Sequence, residues 1–506
     1  MKKSIIAVAV LSLVFAAHVL GYETYTLYNT TSSTTSRLID YSGNLVKSWT
    51  FSRTPSASMP YLIQPDSVLV RAQTVSSPSM MGGGYGGNIQ KVSWNGTMLW
   101  NYTAYGPNYQ QHHDIEPMPN GNVLFIAWER KTNAEARAMG RVSITGEMWP
   151  DMVIEVNPTN STVVWEWHFW DHLIQDVDAG KPNYGVVRDH PERLDINFGP
   201  VFGGDWMHCN AVDYNAELDQ IILSSHNLNE IYIVDHSTTT EEARGRTGGR
   251  SGMGGDLLYR WGNPQAYDRG TSANQRLYVV HGVNWIRPGL PGAGNVLLFN
   301  NGDRSGTSGD TSSVEEIVTP RTGYTYYIHP DSAFGPLQPI WVYSAGTSFY
   351  SNHLAGAFRL SNGNTFICEA TRNRLLEVNP SRQIVWTFNT VSQVANAKRY
   401  DFSALGVEDN VSQCREKSGL LQVFPNPAQR VTSIEYQLSA RGHVLLRICD
   451  ITGRVVKTLE NTERETGNYL VRFDVKEMAA GVYFVNLAVY GRTAPTSENK
   501  RFIVMR

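Results

Sequence analysis

Three histidines recur in one setting, shortly before a turn and an apolar run. In QHHDIEPMPNGNVLF, His113 stands eight residues before Gly121, with His112 beside it. DWMHCNAVDYNAELDQ places His208 at the matching point before its own turn, and VHGVNWIRPGLPGAGN places His281 there once a longer turn is accommodated. Imidazole is neutral near neutral pH and serves as nucleophile or as general acid and base. Three imidazoles that meet would suit group transfer through a covalent histidine intermediate. Three histidines with an open position also make a catalytic zinc site, for which Asp114 and Asp205 are the candidate orienting carboxylates. YSNHLAGAFRLSNG breaks the pattern, since Ala355 holds the matching position and His353 lies two residues earlier, at the mouth of the same site. His168, His172, His190, His236 and His329 fall outside the pattern and read as hydrogen-bonded structural residues.

Distant segments can bring their histidines together only if the strands they open converge. A short strand with a tryptophan recurs six times, in GNLVKSWTF (Trp49), GTMLWNYTA (Trp100), STVVWEWHF (Trp165), DLLYRWGNP (Trp261), QPIWVYSA (Trp341) and RQIVWTFNT (Trp386). Between copies lie apolar runs after turns, such as EPMPNGNVLFIAWE and RLSNGNTFICEA, and then third elements such as MVIEVNP and RLLEVNP. Each unit reads as a meander of short strands. The tryptophans are 45 to 96 residues apart, with the largest insertions at 171–205 and 236–256. Radial repetition of short sheets avoids exposed edges, so the expected fold is all-β, a six-bladed β-propeller over 22–405. Its sixth blade would combine TYTLYN and SRLIDYSG with a strand near AKRYDFSAL, using both ends of the chain. The entrances of the inner strands then face one channel, where His113, His208 and His281 would meet.

After a polar linker at 406–418, residues 419–506 carry alternating strands (SIEYQL, HVLLRICD, YLVRFDV, GVYFVNLAVY, KRFIVMR) with the rhythm of an immunoglobulin-like β-sandwich. At the other end, MKKSIIAVAVLSLVFAAHVLG has the basic start, short apolar core and small residues of a signal peptide, assigned to 1–21. With 43 basic and 46 acidic residues the chain has no global field for nucleic acid or an anionic membrane. No later segment has the length of an apolar membrane span, so no integral membrane segment is expected in the mature protein. Cys209, Cys368, Cys414 and Cys449 show no metal-knuckle spacing, and an exported chain permits a disulfide without the sequence showing which pair.

Two resemblances add to this reading. FPNPAQ, ICDITGRVVKTL, AAGVYFVNL and KRFIVMR resemble the type IX secretion C-terminal sorting domain, which implies the type IX machinery as partner and a secreted or cell-surface location. HHDIEPMPNGNVLF, DWMHCNAVDYNAELDQIILSSHN, YRWGNP, HGVNWI…GNVLLFNNGDR and RLSNGNTFICEATRNRLLEVNPSRQIVWTF resemble the aryl-sulfate sulfotransferase family over about 22–405. That resemblance implies transfer of a sulfuryl group from an aryl sulfate to a phenol with no nucleotide sulfate donor, no metal and no cofactor. It implies His281 as the sulfurylated residue, His113 and His208 as its partners, and Asn210 as an active-site asparagine. Ser224-Ser225-His226-Asn227 stands where the family often has Ser-Ser-Arg-His, so His226 is expected to take over anion binding. Val280-His281-Gly282 replaces a frequent Gln-His-Asp. His112, His353 and Arg304 complete the expected substrate contacts, and a homodimer is one assembly the chain permits. The competing readings are a secreted propeller that binds a glycan or protein without catalysis, and metal-dependent hydrolysis.

Overall fold

Period-two alternation and Asn-Gly or Asp-containing turns divide the first four hundred residues into short strands, and the computed structural model bears this out. The described residues are 23–201, 204–302, 309–401, 419–438, 441–465, 467–490 and 496–505. The candidate signal peptide at 1–21, the linker at 406–418, Cys414 and Arg304 lie outside them. The chain divides between Ala404 and Leu405 into two compact units. Both are all-β; the α-helices among the described residues are the short Asn133–Ala138 and Thr240–Arg244. No helix among the described residues is long and apolar enough to cross a membrane.

In the first unit, six antiparallel sheets of four or five strands are found among the described residues. The first combines both ends of the unit, with Val394–Tyr400 paired to Tyr25–Thr30 and then Thr35–Ile39 and Leu45–Thr50. The other five are meanders. They begin at Tyr61–Ile63, Tyr109–Pro117, Cys209–Asn215, Val280–Trp285 and Gly356–Arg359 and end at Met98–Thr103, Thr162–His168, Tyr259–Trp261, Trp341–Tyr343 and Ile384–Asn389; Tyr105–Gly106 adds an edge strand to the second of these. The first strands of successive sheets pack beside one another, Cys209–Asn215 lying between Tyr109–Pro117 and Val280–Trp285. The middle strands are buried on both faces, as in Gln220–Ser225 and Glu230–Asp235, and read as near-continuous apolar runs for that reason.

The six recurring tryptophans all lie on the last strand of a sheet, and each indole N–H donates to a loop of the next sheet. Trp49 reaches the Trp94 carbonyl at 3.1 Å, Trp100 the Ser161 hydroxyl at 3.0 Å and Trp165 the Thr238 hydroxyl at 3.2 Å. Trp261 reaches the Pro336 carbonyl at 2.8 Å and Trp341 the Pro380 carbonyl at 3.3 Å. Trp386, on the last sheet, donates to the Tyr41 carbonyl of the first at 2.6 Å. The tryptophan repeat is thus a set of latches, six side chains that each supply apolar area and one polar tip. At the closing latch the Arg399 guanidinium lies 4.2 Å from the Trp386 ring centroid and pairs with Glu377.

The second unit has sheets of three and four strands. Tyr436, Leu446, Ile448, Val485, Leu487 and Phe502 are buried in its core. Two of its strands, Gly419–Phe424 and Val455–Arg464, add to the five read from the sequence. Cys209, Cys368 and Cys449 are free thiols.

Replacing Trp386 by Phe keeps an aromatic ring at the closing latch and removes its hydrogen bond. The first unit should lose ~1 kcal/mol, the worth of a typical hydrogen bond. Thermal or urea unfolding of the full chain, followed by circular dichroism, checks it; an unchanged midpoint would show that the latch carries no stability.

Candidate active site

The entrances of the first strands are bulged. Register shifts fall at or next to the histidines, between Gln111 and Ile115, between Cys209 and Ala211 and between His281 and Asn284. A bulge bends a strand and re-aims the side chains beside it. His113 and His208 themselves take left-handed backbone, with φ of 49° and 53°. His281 does not; Val279 and Gly282, at 58° and 59°, flank it instead. Such conformations are uncommon for residues other than glycine and cluster at functional sites. Gly282 is required where it stands, because a Cβ there would lie 2.6 Å from the Gly356 Cα. This accounts for the glycine found after His281.

The result is a contiguous run of five imidazoles. Ring centroids are 5.1 Å apart for His112 and His113, 4.5 Å for His113 and His208, 5.0 Å for His208 and His226, and 5.7 Å for His226 and His281. His353 stays at the exposed rim, its ring nitrogens facing Asn352 Oδ1 and Gln393 Nε2 at 2.9 Å each. It is close enough for its charge to disfavour one on His226.

Five imidazoles in one volume cannot all be charged, and their anchors decide which one is. His208 Nδ1–H donates to Asp205 Oδ2 at 2.5 Å, and Asp205 Oδ1 accepts from the Trp128 indole at 2.9 Å. Burial opposes a charge on His208, but the Asp205 hydrogen bond and charge, with Asp151 behind it, outweigh burial and raise its pKa. Burial also opposes ionisation of Asp205, and the hydrogen bond and charge of His208 outweigh it, so its pKa falls. The other rings go the opposite way. Burial, reinforced by neighbouring histidines, pushes His226 down to about 4 and holds His113 and His281 well below the usual histidine value. His112 is pushed down to about 3, again chiefly by burial.

Hydrogen-bond logic assigns His281 a tautomer. Asn301 Nδ2 donates to the carbonyls of Ser351 and Leu354 at 2.7 and 2.9 Å, so its Oδ1 accepts from His281 Nδ1–H at 2.9 Å. The lone pair is therefore on Nε2, where it accepts the Leu354 N–H at 3.1 Å. His226 is arranged alike, with Nδ1–H donating to Asn227 Oδ1 at 2.8 Å while Asn227 Nδ2 donates to the Asp205 carbonyl. A neutral His226 in this tautomer leaves its other ring nitrogen, Nε2, with a lone pair.

His112 supports the site from behind. It stacks on Trp128 with centroids 4.0 Å apart, faces Asp151 Oδ1 through Nε2 at 2.7 Å and His113 through Nδ1 at 2.9 Å. With Asp151 ionised, each ring donates toward it and His113 Nε2 carries a lone pair; with Asp151 protonated, the wire reverses and His113 Nε2 carries a proton. Asn210 is occupied with structure: its amide donates to the Val280 carbonyl at 2.8 Å and its oxygen accepts from Ser224 at 2.6 Å. Trp206 is core, its indole bonded to the Phe198 carbonyl. Asp114, the other candidate orienting carboxylate, accepts from Val212 N–H at 3.4 Å and faces none of these rings. Among the described residues no His, Cys, Asp and Glu side chains group in a way that would hold a metal ion.

Four features of the site were not read from the sequence: Asp151, Trp128, Asn301 and the glycine run in MGGGYGG. A Cβ on Gly84, which has φ of 73°, would meet the His113 ring at 2.4 Å, and one on Gly83 would stand 3.2 Å from His208 Cε1. The run thus lies against the imidazoles in a way only glycine allows. Five glycines in the six residues 82–87 were a legible signal; the other three make contacts across sheets that no local spacing announces.

Residues 25–408 match the Arylsulfotransferase (ASST) family, and residues 422–504 match the secretion system C-terminal sorting domain. The chain belongs to the arylsulfotransferase family, and its C-terminal sorting domain marks it for export to a surface or secreted location. Arylsulfate sulfotransferase AssT of Lelliottia amnigena is 26% identical over 266 residues, 47% of this chain and 41% of that protein, so the match spans less than half of the curated relative. Among solved structures, a protein of unknown function from Bacteroides caccae shares 10% identity at a TM-score of 0.41 over 74% of this chain and 98% of that one. A catalytically inactive virginiamycin B lyase from Staphylococcus aureus, with quinupristin, shares 9% identity at 0.34 over 82% and 92%.

The Asp205–His208 pair sets a dependence of stability on pH. Because the folded-state pKa of His208 is raised, its contribution is complete below the unfolded value and is lost as pH rises through the folded one. Asp205→Asn should therefore cost ~2 kcal/mol near about pH 6 and less at a pH above the raised His208 value. Denaturant unfolding at the two pH values checks this; an equal loss at both would show that the pair is not charged.

Proposed function

We propose that the chain is an exported aryl sulfotransferase that moves a sulfuryl group from an aryl sulfate to a phenol through a sulfurylated His281. The six cyclically latched sheets are read as a six-bladed β-propeller over 22–405. Residues 419–506 are read as an immunoglobulin-like sandwich serving type IX export. The observation that carries the reading is the division of one imidazole cluster into a neutral ring with its lone pair fixed on Nε2, His281, and a ring held toward its charged form by a carboxylate, His208. Environments that push like groups apart in pKa are how one site holds both a nucleophile and an acid.

In the first half-reaction His281 Nε2 attacks sulfur, the S–N bond forms, the S–O bond to the aryl group breaks, and His208 Nε2–H protonates the leaving phenolate. His208, now neutral, takes the proton of the acceptor phenol in the second half-reaction. The phenolate oxygen attacks sulfur, and His281 recovers its lone pair. A phenol with a pKa of about 10 is a good leaving group, so positioning and stabilisation of the sulfuryl oxygens carry most of the catalysis. Attack requires His281 Nε2 to leave the Leu354 N–H, at a cost of ~1 kcal/mol; Leu354 and Ala355 hold that N–H in left-handed backbone, with φ of 57° and 87°. The released N–H is then free to serve a sulfuryl oxygen, and His113 Nε2 serves another in the state in which Asp151 is protonated and the wire puts a proton there. Asn210 acts by fixing the Cys209–Asn215 strand to its neighbour.

A second reading, a secreted propeller that binds a glycan or protein without turnover, rests on one feature: His226, held neutral, stands where the resemblance implies an arginine.

Purified full-length protein given a chromogenic aryl sulfate and a phenol acceptor separates the two. The sulfotransferase reading gives turnover with parallel double-reciprocal plots, and a rate that falls as pH rises through the raised His208 pKa. Asp205→Asn should move that fall to lower pH and slow transfer by about a hundredfold, the scale for one donor in such a site. Absence of turnover favours the binding protein, and an unchanged pH profile in Asp205→Asn removes His208 as the acid.

A further inference from the structure

The same first strands that open on the histidines end in a cavity of about 570 Å³. Glu116 of its wall lies three residues beyond His113, ~10 Å along an extended strand. This volume suits a small organic ligand. Tyr61, Tyr214, Trp285 and Tyr400 supply aromatic surface, and Lys398, Arg287 and Arg321 supply cations. None of these residues takes part in the chemistry described above.

Two observations define what the cavity lacks. The carboxylates of Glu116 and Asp213 are both claimed by one guanidinium, since Arg287 donates to them at 3.0 and 2.6 Å. Arg287 is held further by the Tyr214 carbonyl at 2.8 Å. Lys398 is left over. Its ammonium lies 5.2 and 5.3 Å from the ring centroids of Tyr61 and Phe358, and it makes no hydrogen bond or ion pair with a described residue. Burial and the neighbouring Arg287 charge both disfavour its protonated form, more than the nearby carboxylates favour it. A half-buried ammonium with no carboxylate in direct contact is an incomplete arrangement.

We infer that this cavity is a binding site for a small aromatic monoanion, whose carboxylate or equivalent acid group pairs with Lys398 and whose ring lies against Tyr61, Tyr214 and Trp285. The anion supplies the charge that Arg287 withholds from Lys398, and the aromatic walls supply apolar burial. Arg321, exposed at the rim, adds long-range attraction. The site is independent of sulfuryl transfer and opens at the opposite ends of the first strands from the histidines.

Benzoate, which carries no transferable group, is the probe, titrated into the full-length protein by calorimetry. Benzoate should bind at least about tenfold more tightly than acetate, which lacks the ring, or benzyl alcohol, which lacks the charge. Lys398→Met should weaken it by about tenfold or more and Arg321→Gln by about threefold, while His208→Ala leaves it unchanged. No benzoate binding, equal binding in Lys398→Met, acetate as tight as benzoate, or loss in His208→Ala would each overturn the assignment. Should Lys398→Met fail to fold, crystals of the native protein soaked in para-bromobenzoate decide: a bromine anomalous peak in the cavity beside Tyr61 and Trp285 supports the site, and a peak elsewhere or none refutes it.

Discussion

The hydrogen bond from the Trp386 indole to the Tyr41 carbonyl joins residues 345 positions apart and connects the last sheet of the first unit to the first. Together with the pairing of Val394–Tyr400 on Tyr25–Thr30, it makes the succession of sheets cyclic. An open succession would leave one first strand without a neighbour and the angle between all of them free. The closed one fixes where every first strand starts. That closure, together with the bulges at the strand entrances, seats His113, His208 and His281, which come from three different sheets, within one cluster. The tryptophan repeat and the histidine repeat are thus two parts of one device, the outer latch and the inner convergence.

Convergence creates an electrostatic problem, and the anchors behind the rings answer it. Each added imidazole makes a proton on its neighbours costlier, so a cluster without anchors would be neutral throughout. Asp205 gives His208 a place for charge, while Asn301 and Asn227 give His281 and His226 acceptors that carry none. Trp128 serves both sides of the arrangement, donating to Asp205 and stacking on His112. The glycine run 82–87 then covers the cluster without adding a side chain that would displace a ring.

What could be read from the sequence was what repeats. Trp49, Trp100, Trp165, Trp261, Trp341 and Trp386 stood out because each ends a meander, and the leftover strands at Tyr25 and Tyr400 pointed to their own pairing. His113, His208 and His281 stood out for the same reason, although their backbone conformations show that the matching offset before a turn is not one common geometry. Asp151 and Asn301 contact their histidines from 39 and 20 residues away, the one on another strand of the same sheet and the other just after such a strand, and no spacing rule marks such pairs. The state of His226 was not legible because charge depends on what surrounds a ring, and burial beside His208 disfavours its protonated form. Asn210 was expected to meet substrate, and its two hydrogen bonds hold strands instead.

The central claim is that a histidine with an amide-fixed tautomer becomes the covalent carrier. Wild-type protein quenched seconds after addition of an aryl sulfate, with no acceptor present, and then digested and weighed by mass spectrometry tests it most directly. The account predicts one added sulfuryl group on the peptide that contains His281, lost again when a phenol is supplied before quenching. An adduct on the His208 or His113 peptide, or donor turnover with no adduct on any histidine, would contradict it.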